Sequence, residues 1–97
     1  MEFEWDEAKC DANVRKHGID FVDAIKIFSG PIVTRRDDRF DYGEVRNVST
    51  GLIDGLLIVT VVHTDRHGTK RIISARRASH QERNLYETAL RASPDNR

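Results

Sequence analysis

The stretch LLIVTVVHTDRHGTKRIISARR, residues 56–77, reads as two strands and the turn between them. Residues 56–64 are almost wholly apolar and rich in β-branched side chains. A strand central to a sheet, or covered on both faces, has that pattern. "DRHG" (65–68) interrupts the run with a glycine turn, and "TKRIISARR" (69–77) resumes it with arginines. Side chains alternate along a strand. Arg71, Ile73, Ala75 and Arg77 are therefore expected on one face, and Ile72, Ser74 and Arg76 on the other. Whichever face is the core, at least one arginine shares it with isoleucine. Either these arginines are solvated charges bordering a core, the usual fate of arginine, or the strand presents them to an anion.

Working outward, Asp54-Gly55 is a strong two-residue hairpin signal, because both residues tolerate positive φ. It predicts a preceding strand over about 44–53. On the other side, Ser79 and Glu82 form a Ser-x-x-Glu capping box that opens a helix over about 80–92. Leu85, Tyr86, Ala89 and Leu90 give that helix its apolar face. At the N-terminus "EFEW" alternates as a short strand, and Asp6 is placed to cap a helix over 7–17 that ends at Gly18. Phe21, Ala24, Ile25 and Phe28 recur at the spacing of one helical face, so a second helix is expected up to "SGP" (29–31). "IVTRRDDRFDYG" (32–43) opens as a possible edge strand and becomes a charged loop. The order is β-α-α-(β)-β-β-β-α. It predicts one α+β domain over 1–92, with two N-terminal helices and a C-terminal helix on a small antiparallel meander. The tail 93–97 is expected to fray.

Composition narrows the function. Ninety-seven residues suit a single small core. The one cysteine excludes an internal disulfide framework. The acidic N-terminus has no apolar segment of a signal peptide, and the longest apolar run is too short to span a membrane. The expectation is a soluble cytoplasmic protein with no membrane partner. Net charge is zero, which gives bulk nucleic-acid binding no support. The charge is unevenly spread: residues 1–30 hold four Lys/Arg against seven Asp/Glu, and residues 56–97 hold eight against four. The C-terminal part is the more anion-facing.

No metal or cofactor is expected. Of the histidines His17, His63, His67 and His80, only His63 and His67, flanking a hairpin, could approach each other, and zinc takes three or four protein ligands. Cys10 sits in a helix beside acidic residues, which raise a thiol pKa. No glycine-rich phosphate loop is present. The arginines remain. Glu44 and Arg46 point to one face of the first meander strand, and Arg66 lies in the turn ahead of the arginine strand. An antiparallel meander sets these strands side by side. A carboxylate among arginines suits metal-free RNA cleavage: a base takes the 2′-hydroxyl proton, the oxygen attacks phosphorus, and cations hold the added charge. Guanidinium forks bind phosphate oxygens in pairs and stay charged at every working pH.

"FEWDEAKCDANVRKHGIDF" (3–21) resembles the signature of the BrnT family of type II toxins through Trp5-Asp6, Lys9, Asn13, Lys16-His17-Gly18 and Phe21. A second match runs through residues 51–66 and 71–87. The resemblance implies a RelE-like fold and an endoribonuclease that inhibits translation. It also implies a BrnA-type antitoxin whose ribbon-helix-helix domain binds DNA. The complex would repress its own operon, so operator DNA would be met only through the antitoxin. One departure stands out. Family members often carry adjacent Glu-Arg before the "IG" of the first meander strand. Here "GEVRNVSTG" keeps Arg46, puts Val45 before it and moves the carboxylate to Glu44. Thr50 also stands where an apolar residue is usual.

On this resemblance the expected catalytic set is Glu44, Arg46, Arg66, Arg76, Lys9 and His17, with Arg71, Arg83 and Tyr86 binding RNA. Five of these also have a structural reading, which for Glu44 is a plain surface carboxylate. Arg76 can bridge to Glu82 or Asp6, and Lys9 to Asp6. His17 can be satisfied by the carbonyls at its helix end. Tyr86 can be a core residue with its hydroxyl at the rim. The rival functional reading is a catalytically weakened binding module, left by the change at Val45, that acts through antitoxin binding and autoregulation.

Overall fold

The computed structural model describes residues 1–38 and 43–92. The expected tail 93–97 and residues 39–42 of the expected charged loop lie outside the described residues. The elements are β1 (Glu2–Trp5), α1 (Glu7–His17), α2 (Phe21–Ala24), a 3₁₀ segment (Ile25–Ser29), β2 (Ile32–Asp37), β3 (Arg46–Ile53), β4 (Leu57–Arg66), β5 (Thr69–Arg77) and α3 (His80–Ala92). The five strands form one sheet in the order β1-β5-β4-β3-β2. β2 to β5 pair antiparallel, and β1 lies parallel to β5. The α+β class with helices on a small, mostly antiparallel sheet matches the expectation.

The local signals act as chemistry requires. Asp6 Oδ1 accepts from the amides of Ala8 and Lys9, and Gly18 ends α1 at φ 73°. Ser79 and Glu82 exchange hydrogen bonds as a capping box: Ser79 N donates to Glu82 Oε1 and Glu82 N to Ser79 Oγ. The second helix differs from its expected form. α2 is one turn long and tightens into the 3₁₀ segment. Phe21, Ala24 and Ile27 are fully buried, which is the three-residue spacing of the tighter winding rather than that of an α-helix.

Both hairpin turns differ from the expected bounds by a residue or two. Asp54 and Gly55 have positive φ, but Leu56 stays in the loop and β4 starts at Leu57. β4 runs on to Arg66, so the second turn is only His67-Gly68, both at positive φ. Two such residues match the right-handed twist of the strands they join.

The largest correction concerns the arginine strand. Val62 pairs with Ser74 and His63 with Ile72, so β5 holds an extra residue, Ile73, at a bulge. The bulge shifts the parity of the strand. Ile72 and Ala75 share the core face, both under 2% exposed. Arg71, opposite Thr64, and Arg76, opposite Thr60, come to the same face, not to opposite faces as strict alternation predicted.

One face of the sheet carries the main core, in which Phe21, Ala24, Ile27 and Cys10 meet Val59, Val61, Ile72 and Ala75. The 3₁₀ segment presses so closely on β3 that a Cβ at Gly51 would lie 2.8 Å from Ile27 Cβ. On the opposite face α3 lies over β2 and β3. Tyr86 is buried there, and its hydroxyl donates to the Pro31 carbonyl at 2.8 Å. Among the described residues α3 covers only one end of that face. The other end, at the β4–β5 hairpin, lines a cleft.

Candidate active site

The cleft is built by the ends of β4 and β5, by the edge of β1 and by the segment that enters β3. Its volume is about 400 Å³, and its walls are Glu4, Glu44, Thr64, Arg66, His67, Thr69 and Arg71. Glu44 precedes β3 rather than lying in it. Its carboxylate reaches two arginines: Oε1 is 3.6 Å from Arg46 Nε, and Oε2 is 3.9 Å from Arg66 Nη2. Arg71 Nη1 donates to Glu4 Oε2 at 2.6 Å. Arg66 is 72% exposed, so its guanidinium stays available to an incoming anion. Glu44 thus stands in the cleft within reach of two arginines, with the Arg71–Glu4 pair beside it. Such an arrangement can take a proton and stabilise charge on phosphate.

The other expected site residues stand elsewhere. Arg76 is engaged by Glu82 through both terminal guanidinium nitrogens, at 2.6 and 2.9 Å. Thr60 Oγ1 also donates to Glu82, and Arg35 lies 3.5 Å from it. The hydrogen bonds from Arg76, more than those from Ser79 and Thr60, lower the Glu82 pKa to about 2 despite burial. Arg76 and Arg66 lie at opposite ends of the β4–β5 ladder, about 20 Å apart at 3.3 Å per residue. Arg83 lies beside Arg77 over the start of β4. Lys9 and His17 line a separate cleft with Lys16 and Ser74, where α1 borders the edge of β5.

Two features escaped the sequence reading. His67 lines the cleft with Glu44 and Arg66. The signal for it was positional: a residue that tolerates positive φ, directly after Arg66 and before a glycine. His63 faces away from His67 and into the core, where it is 1% exposed. Its Nε2 hydrogen-bonds Ser49 Oγ at 2.8 Å, and its Nδ1 lies 2.6 Å from Asp65 Oδ1. Burial pushes the His63 pKa down against the opposing pull of Asp65. The two histidines therefore do not converge. Among the described residues no group of three His, Cys, Asp or Glu side chains is placed to hold a metal ion, and no helix is long and apolar enough to cross a membrane.

Fold and cleft together define a class: a small α+β domain that presents a carboxylate and arginines on one end of a sheet. The particular family follows from comparison with known proteins. The model of the ribonuclease toxin BrnT of type II toxin–antitoxin systems matches residues 5–82. The chain belongs to that family of ribonuclease toxins. It is similar to the crystal structure of the Brucella abortus ribonuclease toxin BrnT at 29% identity and a TM-score of 0.61, over 82% of this chain and 99% of that one. No sequence among the curated proteins matches. The fold is thus the RelE/BrnT arrangement, and family membership implies an RNA substrate and an antitoxin partner.

Proposed function

We propose that the chain cleaves RNA without a metal ion, by attack of a ribose 2′-hydroxyl on the adjacent phosphorus, and that Glu44 is the base. The contact of Glu44 with both Arg46 and Arg66 carries this reading. Glu44 takes the 2′-hydroxyl proton as the oxygen bonds to phosphorus. Arg46 and Arg66, with Arg71, hold the phosphoryl oxygens as charge builds. The bond to the 5′-oxygen breaks, and a 2′,3′-cyclic phosphate and a free 5′-hydroxyl result. His67, on the same cleft, is the proton donor to that leaving oxygen. Cleavage of messenger RNA by this route would inhibit translation. A BrnA-type ribbon-helix-helix antitoxin would neutralise it, and the pair would repress the operon, with the toxin meeting DNA only through its partner. Glu44 reaches both arginines from its own position, so Val45 need not be glutamate, which favours an enzyme over a weakened binding module.

The test is cleavage of single-stranded RNA by the purified chain. Glu44→Gln is expected to lower kcat by about 10²–10⁴, the usual contribution of a positioned base. His67→Gln should lose activity on RNA and recover it on a uridine 3′-(4-nitrophenyl phosphate), whose leaving group needs no proton. Glu44→Gln should not recover there. Full activity of Glu44→Gln on RNA would sink the assignment.

A further inference from the structure

The proposed active cleft is a poor electrostatic trap. Glu44 faces Arg46 and Arg66, and Glu4 faces Arg71. A base within the site is required by the chemistry, and it cancels much of the field that would draw in a polyanion. RNA affinity rests chiefly on uncompensated cations along the backbone path. Two such cations, Lys9 and Lys16, stand together where α1 borders the edge of β5. Lys9, Lys16 and His17 project from α1 into a cleft of about 220 Å³ that Ser74 shares. Among the described residues none of the three basic side chains has an ion-pair partner, in contrast to the arginines of the active cleft.

The fold joins the two clefts. β1 pairs with β5 only as far as Ile72. Beyond it the strand edge is bordered by α1, whose Asn13 hydrogen-bonds both the amide and the carbonyl of Ala75. Ser74 lies three positions beyond Arg71 on β5, about 10 Å along the strand. The bulge at Ile73 keeps both residues on the face opposite the core. A strand of RNA held at Arg66 and Arg71 therefore meets Ser74 next and then the α1 cations.

We infer that Lys9, Lys16 and His17, with Ser74, form a second RNA-backbone subsite that binds phosphates flanking the cleaved one. This rests on the proposed ribonuclease reading for the direction of the strand. Its test is kept separate by measuring binding of an uncleavable 2′-O-methyl RNA of ten nucleotides. The double variant Lys9→Gln/Lys16→Gln changes exposed side chains, and its thermal unfolding checks that it folds. The variant should bind that RNA about tenfold more weakly at low salt. Its plot of log affinity against log salt should be shallower by about 1.4, from about 0.7 per phosphate neutralised. With cleavable RNA of the same length the loss should fall on KM. Equal affinity and salt slope in wild type and variant overturn the subsite, as does a loss confined to kcat, which would make these residues catalytic. No RNA binding by wild type also overturns it. Retained RNA binding with lost antitoxin binding would assign the surface to the protein partner and overturn it too. Failure of cleavage with binding and slope as stated would instead count against the base and acid alone.

Discussion

Glu82 shows how one side chain can serve several levels of structure. It closes the capping box with Ser79, accepts from Thr60 and receives the Arg76 fork. The sequence signal S-x-x-E was sufficient for the first role, because capping needs only residues close in sequence. The Arg76 contact was one of two readings open from sequence, and neighbouring strands had to be in register before it could be chosen. Arg76→Gln is expected to destabilise the protein by about 2 kcal/mol, since hydrogen bonds to charged groups are worth about 1.5–3 kcal/mol. Cleavage normalised to folded protein should stay within a few-fold of wild type, because Arg76 lies far along the sheet from Glu44. A large kcat loss with unchanged stability would return Arg76 to the reaction centre.

At the scale of elements, the edge of β5 is decided by one asparagine. Asn13 Nδ2 donates to the carbonyls of Ala75 and Ile19, and Asn13 Oδ1 accepts from the Ala75 amide. It takes the place of a neighbouring strand where β1 stops, and it ties α1 to the chain that follows Gly18. An uncovered edge invites pairing with other chains. Asn13→Ala leaves buried backbone groups without partners and should cost about 3 kcal/mol, read from urea denaturation. A loss under 1 kcal/mol would mean that water replaces the amide. The bulge at Ile73 belongs to this scale as well. Nothing in "RIISARR" announces it, because a bulge depends on the partner strand. Strict alternation therefore misassigned the faces of Arg71 and Arg76 relative to each other.

For the whole molecule, pH is the informative variable. His63 has a folded pKa below its ordinary value of 6.5, chiefly through burial. The unfolded chain then binds more protons than the folded one below pH 6.5, so stability falls as the pH drops through that point. Glu82 has the same sign at lower pH. Its carboxyl is lowered from 4.5 to about 2, and its stabilisation is present above about pH 4.5 and lost as the pH falls toward 2. The full shift corresponds to about 3 kcal/mol, and partial exposure of Arg76 reduces it to about 2 kcal/mol. Denaturation midpoints should decline in two stages, the first below pH 6.5 and the second below pH 4.5. A flat profile between pH 7 and 5 would show that His63 is not protonated on unfolding.

The sequence by itself determined the elements, their order and most of their ends. Helix caps, turn glycines and apolar spacing act within a few residues, so they are legible in a linear text. It also carried the family, through side chains such as Trp5, Asn13 and the 71–87 run. Tertiary structure decided which charges meet. Glu44, Arg66 and Arg71 share a cleft with His67, Lys9 and His17 stand on a separate one, Arg76 is held by Glu82, and Tyr86 is sealed under α3. Those outcomes depend on strand register, on one extra residue in β5 and on which sheet face each helix covers. Contacts between separate strands and helices set all three, and no spacing within one element encodes them.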